Sequence, residues 1–524
     1  MTFSNLQRLL AQNPSKTFIW ILLALAITER IVLLLSYGFV YTDNDALVFW
    51  LAIRDYANRV FLEPYFYGQN YNPMLEALVA LPMYFIGIRA DYASVIATAL
   101  IVLFVFMFPA VILYRHKHYT AALLWIALYI SLPTEYGMMT GHSRGFVSGL
   151  PFAALLVLLL VKLEQQFLGF WFGLLTGLAL FFNANALPAF VFVGVYLSFI
   201  KFKNSRFYLQ VILGLIPGLL LRQAAMYFYQ INPQYNVNSL YPYHYDFEWE
   251  RLANGFMKTV QFFSYTLPLH LPGALLFPLL LVLLAVFVFR KRVQESVALL
   301  AATLFILLTL GIYKIHDHNG ETILLASSRM FLALPIVFGF VVFTLFKSKT
   351  KPAPPAFLNG VFIIALGFFL FKMLLLNQTI GNHTKNLNYG NLALKPISEV
   401  KNTCEEIKNF MWLNQIDALV AAPGATFNYP ELSFVCYACS TFIKDFPANS
   451  MLVHDRRTKQ YLKLRDGVYK RLLIIGDLQH ANVIIKGTRL PYVILENREG
   501  LKTKVLLANK LQIEMKRSYY LDLD

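Results

Sequence analysis

Asp43 and Asp45 stand one residue apart where a long apolar run ends. A carboxylate screened by apolar neighbours can take a proton from a hydroxyl, and a positioned general base contributes roughly 10²–10⁴-fold in rate. The same Asp-x-Asp spacing suits a hard divalent cation. Both acids equally fit a solvated loop, or an N-cap ahead of a helix starting at Ala46.

Further on, Tyr67, Gly68, Gln69, Asn70, Tyr71, Asn72 and Pro73 join two apolar stretches. Gly68 permits close backbone approach. Gln69 and Asn70 are suited to sugar hydroxyls, and Tyr67 and Tyr71 to stacking on a sugar face. Glu76 follows at the start of an apolar helix. A carboxylate without a partner is costly there, although the helix dipole favours it. Glu135, His142 and Arg144 crowd a short polar connector. Arg144 suits a phosphate, His142 a hydrogen bond, and Glu135 the orienting of either; a plain solvated connector has the same composition. His316, Asp317, His318 and Glu321 form a second polar cluster. It suits substrate contact, a metal or a simple loop, and His-x-His in one loop fixes no metal geometry. Arg329 opens a later apolar run, where a guanidinium can pair bidentately with a lipid phosphate or snorkel to the interface.

The elements that must position these groups are apolar helices. Of 524 residues, 58% are hydrophobic and 14% charged, against about a quarter charged in soluble domains. Apolar runs near the ~20 residues of a spanning helix recur from Thr17 to Leu376. The net charge of +16 resides in short basic clusters between those runs. That pattern is topology rather than nucleic-acid binding. The first run carries Glu29 and Arg30, lacks a small-residue cleavage site, and reads as a retained signal anchor. Glu29 and Arg30 are either functional intramembrane groups or a pair that orders helix packing; Arg222, inside another apolar run, has the same two readings.

Eleven spans are expected, near 17–38, 92–114, 119–133, 146–163, 167–183, 187–200, 207–229, 268–289, 296–313, 329–346 and 356–376. With that set, the clusters at 115–118, 162, 201–206, 290–292 and 347–351 all fall on the cytoplasmic side. Residues 73–88 are apolar but short, and are placed as a re-entrant or interfacial helix in the first external loop. Residues 46–62 read as an amphipathic helix lying on the membrane. The chemistry-bearing loops and the tail then face away from the cytoplasm. The expected fold is a mainly α, multi-pass membrane protein, with a membrane domain over 1–376 and an external α/β domain over 377–524. In the tail, helix signals at 399–413 alternate with strand signals at 418–422, 471–476 and 492–496. The chain has three cysteines, Cys404, Cys436 and Cys439, all in the tail. Cys436 and Cys439 have C-x-x-C spacing, and a disulfide is the plain reading outside the cytoplasm. No P-loop, Rossmann fingerprint or serine-hydrolase elbow stands where it would work.

The membrane part, from about Thr17 to Phe346, resembles the GT-C class of polytopic glycosyltransferases. It is most similar to the bacterial branch related to protein O-mannosyltransferases and aminoarabinose transferase. Tyr67-Gly68-Gln69-Asn70-Tyr71 followed by Leu75-Glu76-Ala77 is similar to that branch's Tyr-Gly-Gln-x-Tyr … Leu-Glu-Ala signature. Ser328-Arg329-Met330 with Pro335 is similar to its Arg-Tyr … Pro, with Met330 in place of the usual Tyr. The resemblance implies an inverting transfer of one sugar from a polyprenyl-phosphate donor to an acceptor hydroxyl on an envelope glycan, lipid or protein, at the non-cytoplasmic face of a bacterial cell membrane. In such enzymes an Asp just after the first span, eight residues before a small residue, is the base. Counting back from Ala52 reaches Asn44, with Asp45 one residue later. Asp43 and Asp45 are therefore both candidates, Asp45 the preferred one. Glu76, Gln69 and Asn70 would hold the sugar hydroxyls, and Arg329, Arg144 and His142 would meet the charge of the leaving phosphate; Tyr67, Tyr71, His316 and His318 remain candidates for substrate contact. No cofactor is required if arginines meet the leaving charge; a divalent cation at Asp-x-Asp is the related branch's solution. The rival readings are a transporter or flippase of a lipid-linked glycan, which Glu29 with Arg30 keeps open, and a non-catalytic subunit of an assembly complex, which Asn44 keeps open.

Overall fold

The computed structural model describes residues 14–67, 71–232, 246–313, 323, 331–347, 353–385, 394–421, 439, 441, 450–452, 470–475, 485 and 492–496. The long apolar runs become helices because a segment with no polar period can satisfy its backbone only internally once water is excluded. In chain order these are α1 (Pro14–Leu33), prolonged by a π turn over Leu34–Gly38, then strand β1 (Tyr41–Thr42), α2 (Asn44–Ala57), α3 (Leu75–Phe85), α4 (Ala90–Arg115), α5 (Tyr119–Ile130), α6 (Thr134–Met139), α7 (Leu150–Val161) and α8 (Leu168–Phe182). They continue as α9 (Leu187–Ile200), α10 (Ser205–Ile231), α11 (Trp249–Phe262), α12 (Leu276–Phe289), α13 (Val293–Thr309), α14 (Leu334–Phe346) and α15 (Pro355–Lys385). The tail adds β2 (Lys395–Pro396), α16 (Ile397–Leu413), β3 (Ala418–Ala421), β4 (Ser450–Leu452), β5 (Arg471–Ile475) and β6 (Tyr492–Glu496).

The protein is mainly helical, and four helices among the described residues are long and apolar enough to cross a membrane: Lys16–Gly38, Ala90–Arg115, Ser205–Ile231 and Pro355–Thr384. Each of the other expected spans holds a shorter apolar helix of 10–17 residues. A 12-residue helix such as α5 rises only about 18 Å, against a hydrocarbon core of about 30 Å. The shortening falls mostly at the ends expected to face outward. There, bent segments at 131–133, 140–149, 183–186 and 268–275 replace regular helix, and these segments carry the polar side chains.

The helix bundle is packed tightly where glycines allow it. On α8, a Cβ at Gly173 would lie 2.2 Å from the Val211 carbonyl oxygen of α10. Glu29 and Arg30 do not pair with each other. Glu29 Oε1 accepts from Lys372 Nζ of α15 at 2.6 Å. Arg30 donates to Tyr129 Oη at 2.7 Å, Thr140 Oγ1 at 2.9 Å and the Gly137 carbonyl at 3.3 Å. Adjacent helix positions point about 100° apart, so each meets a different neighbour.

Helix α2 departs from the expectation of a surface-lying helix. Every residue from Ala46 to Ile53 is buried. Its apolar cluster includes Ala77 and Ala80 of α3 and Ala90, Ala93 and Ala97 of α4, together with Val400, Cys404 and Ile407 of α16 and Leu419 and Leu472 of the tail sheet. The helix is therefore enclosed in a cluster built from α3, α4 and the tail instead of lying on the membrane surface. The tail is stitched down by an antiparallel pair, Tyr41 opposite Pro396 and Thr42 opposite Lys395, and by Ile397 N donating to the Val40 carbonyl at 2.8 Å.

The tail sheet has four strands in the order β4-β3-β5-β6, with β3 parallel to β4 and β5, and β6 antiparallel. Cys439 is bonded to Cys404, not to Cys436; Cys436 lies outside the described residues. Cys404 sits on the buried face of α16 with Val400, Ile407 and Met411, and packing of that face brings the two sulfurs together. The helical part also runs further than expected, with α15 continuing through Lys385.

Candidate active site

The first turn of α2 carries both acids. Asp43 is the N-cap, in extended conformation, and its Oδ1 accepts from Ala46 N at 2.8 Å. Asp45 follows within the turn. Both carboxylates thus lie at the positive end of the helix dipole. Asp43 is fully buried, whereas the Asp45 side chain keeps 21% of its surface.

Arg144 joins them. Its Nη1 lies 2.7 Å from Asp43 Oδ2, an ion pair without the alignment of a hydrogen bond. Its Nη2 donates to Asp45 Oδ2 at 2.6 Å. The guanidinium also lies 5.1 Å from the centre of the Phe146 ring. Burial works against its charge, but Asp43 and Asp45 outweigh burial and hold its pKa above the ordinary value. The site therefore contains one buried cation between a buried carboxylate and a partly exposed one.

The loop that presents Arg144 is held from several helices. Glu76 of α3 accepts from Gly145 N at 2.9 Å and from Ser148 Oγ at 2.6 Å. Asn183, beyond α8, donates to the Gly145 carbonyl at 2.7 Å, and Asn185 donates to the Phe146 carbonyl at 2.6 Å. Ser143 Oγ donates to the Ser94 carbonyl at 2.8 Å and lies 2.7 Å from Thr98 Oγ1. Gly145 has φ +76°, and a Cβ there would meet Asn72 Cβ at 3.3 Å, so the turn needs glycine. Burial lifts the Glu76 carboxyl above its ordinary pKa, with the Ser148 and Gly145 hydrogen bonds opposing the rise.

His142 stands beside the pair. Its ring lies 4.6 Å from that of Tyr37. It is buried, and neither ring nitrogen makes a hydrogen bond within the protein. Tyr37 Oη and Arg144 Nε are likewise without hydrogen-bond partners. Burial, and then the Arg144 charge, push the His142 pKa down to about 3, so the imidazole is neutral at physiological pH. These buried atoms have no hydrogen-bond partner within the protein.

Of the residues singled out in the sequence, Asp43, Asp45, His142 and Arg144 converge. Glu76 and Tyr67 take other roles. Both Glu76 oxygens face the loop and the residue is fully buried, so it positions Arg144 rather than holding a sugar. Tyr67 is buried and donates to Asp55 Oδ2 at 3.1 Å instead of presenting a stacking face. Tyr71 is half-buried. Gln69, Asn70, His316, His318 and Arg329 lie outside the described residues. Glu135 does not orient His142 or Arg144. It meets His383 Nε2 at 3.5 Å and His270 Nδ1 at 3.8 Å; burial raises its pKa, but these two histidines outweigh it and hold it below the ordinary value. Among the described residues no group of three or more acids, histidines or cysteines is placed to hold a metal ion, and in the Asp-x-Asp pair the guanidinium lies between the carboxylates.

Asn183, Asn185 and Ser148 were not foreseen. Two asparagines inside the apolar run 179–190 are the signal that marks them, since a polar side chain there must find a partner. No family model matches the chain, and no curated protein or solved structure matches it.

Proposed function

We propose that the protein is an inverting glycosyltransferase that moves a sugar from a polyprenyl-phosphate donor to an acceptor hydroxyl at the non-cytoplasmic face of the membrane. The observation that carries this reading is the Asp43–Arg144–Asp45 bridge at the end of the first long apolar helix. A carboxylate is held there in reach of solvent, beside a buried cation and unpartnered donors.

Asp45 is the base. It keeps exposed surface, while Asp43 is spent on the helix cap and on Arg144. The acceptor O–H gives its proton to Asp45 and its oxygen attacks the anomeric carbon from the face opposite the leaving group. The C–O bond to the lipid phosphate breaks, and the phosphate departs with the electron pair. Arg144 Nε, Tyr37 Oη and His142 are the donors positioned to meet developing negative charge, a preorganised arrangement that needs no reorientation during reaction. Asp43 keeps Arg144 in place, and Glu76 keeps its loop in place. Gln69, Asn70 and Arg329 retain the substrate roles that the family resemblance implies.

The test is transfer from a panel of radiolabelled polyprenyl-phosphate sugars by protein in membranes, wild type beside Asp45→Asn and Asp43→Asn. Loss of roughly 10²–10⁴-fold in Asp45→Asn with intact folding is expected. Full turnover in that variant refutes the assignment of the base, and no turnover by folded wild type with any donor refutes the class. A transporter or flippase is the second reading, and one observation favours it: the buried Glu29–Lys372 ion pair joins two of the long apolar helices. Movement of a fluorescent lipid-linked sugar across vesicles without chemical transfer would select it.

A further inference from the structure

Helix α10 turns two different faces outward and inward. The inner face is locked by Gly214 and Gly218 against the backbone of α8, where an added Cβ would lie 2.1 Å from the Phe170 carbonyl oxygen and 2.2 Å from the Gly177 carbonyl carbon. The outer face is exposed and apolar: Leu209, Ile212, Leu213, Ile216, Leu219 and Leu220 recur at helical spacing along one side. At the end of this stripe come Arg222 and Gln223, both exposed. With Ile216, Leu219, Leu220 and Met226 they border a shallow depression. No described side chain pairs with Arg222.

The level of Arg222 is set by the helix. Arg206 begins α10 at the end expected in the cytoplasm, and Arg222 lies 16 residues on, a rise of about 24 Å. In a core of about 30 Å that places its stem within reach of the opposite headgroup layer, where Arg snorkels. Exposed Tyr227 fits the aromatic belt of the same layer. A guanidinium facing lipid without a counter-charge among the described residues is costly, and the anion that such a layer offers is a phosphate.

We propose that Arg222 and Gln223 bind the phosphate of one anionic phospholipid of the outer leaflet, whose acyl chain lies along the stripe from Leu220 to Ile216. The guanidinium donates two hydrogen bonds to phosphate oxygens, and the Gln223 amide N–H donates a third. On the same scale the midplane of a core of about 30 Å falls near Ile216, so the part of the stripe from Leu220 to Ile216 belongs to the outer leaflet and is within reach of one of its chains. A charged head at one end and hydrocarbon along the rest is the polarity of a lipid. A second copy is a poorer occupant, because a two-fold axis along the membrane normal would set Arg222 against the partner copy's own Arg222. The site is independent of the proposed chemistry. Two turns on, Tyr229 Oη donates to Glu63 Oε2 at 3.1 Å and its ring stacks on Tyr65, which ties the end of α10 to the segment between α2 and α3.

The experiment is native mass spectrometry of the full chain released from nanodiscs of phosphatidylcholine with one-tenth phosphatidylglycerol. Wild type, R222Q, R222K and Q223L are compared. Wild type is expected to retain one phosphatidylglycerol that R222Q retains about tenfold less, the equivalent of one charged hydrogen bond. R222K and Q223L should fall between. Because Arg222 is exposed, the thermal midpoint of R222Q should stay with wild type, so lipid loss is not read from unfolded protein. Equal retention in wild type and R222Q overturns the proposal. So does a dimer that R222Q abolishes, or preferential retention of an added polyprenyl phosphate over phosphatidylglycerol.

Discussion

Removing Arg144 should cost far more than removing either carboxylate, and the costs should not add. Asp43 is fully buried, and its Oδ2 faces the guanidinium at 2.7 Å. Arg144→Met leaves that charge in the interior, and breaking a buried pair in this way costs about 3–5 kcal/mol. Asp43→Asn is milder. Asparagine caps a helix as well as aspartate does, so the bond from Ala46 N survives, and Arg144 keeps Asp45. A cost of about 1–3 kcal/mol is expected, that of one disturbed buried polar partner. In Asp45→Asn the lost partner is one-fifth exposed while Arg144 is buried, and Arg144 keeps Asp43, so a cost of about 1 kcal/mol is expected. In Arg144→Met/Asp43→Asn the stranded charge is gone, so the double variant should be no less stable than Arg144→Met alone. The coupling would then be about 1–3 kcal/mol. The assay is reversible unfolding in mixed micelles, followed by circular dichroism, on all members of the cycle. Additivity within about 0.5 kcal/mol, or an Arg144→Met as mild as Asp45→Asn, would refute the account of the bridge.

Three further outcomes are expected. Gly173→Ala forces a Cβ to 2.2 Å from a backbone oxygen and should destabilise by about 3 kcal/mol, whereas Gly367→Ala, with nothing within 4 Å, should be neutral or stabilising by up to about 1 kcal/mol; similar thermal midpoints for the two would contradict the α8–α10 seam. Glu76 has its pKa raised by burial above the ordinary 4.5. Its stabilising contribution is therefore complete below pH 4.5 and lost as pH rises through the folded value. Glu76→Gln, which keeps an acceptor for Gly145 N and cannot ionise, should gain stability relative to wild type over that rise. A difference that stays flat from about pH 4 to 8 sinks this explanation. Lys372→Met should strand Glu29 and cost about 3–5 kcal/mol, and adding Glu29→Gln should restore most of it; no rescue in melting curves would mean that the pair is not what holds α1 to α15.

The tail and the bundle illustrate how local signals survive folding. Helix and strand signals at 399–413, 418–422, 471–476 and 492–496 correspond to α16, β3, β5 and β6, within two residues at each end. The short run at 73–88 is a helix of 11 residues, α3. Asp43 caps α2, one of the readings its position allowed. All of these depend on hydrophobic period, capping chemistry or length, which a few neighbouring residues carry.

Partner choice is not local. Arg144 lies 99 residues from Asp45, and nothing in either segment distinguishes that meeting from a phosphate contact. Glu29 is adjacent to Arg30 yet bonds Lys372, 343 residues away. Cys439 stands three residues from Cys436 and bonds Cys404. Helix α2 has the periodicity of a surface helix and is buried in a cluster with α3, α4 and residues of the tail. The sequence by itself determined which segments are apolar helices, three of the tail strands (β3, β5 and β6, though not β2 or β4), and which acids follow the first long helix. Tertiary packing alone decided which charges neutralise which, that Glu76 positions a loop instead of facing substrate, and that Asp45 rather than Asp43 keeps exposed surface. The physical reason is that a buried charge or thiol takes the partner that packing brings within a few ångströms, and packing joins segments that sequence separates.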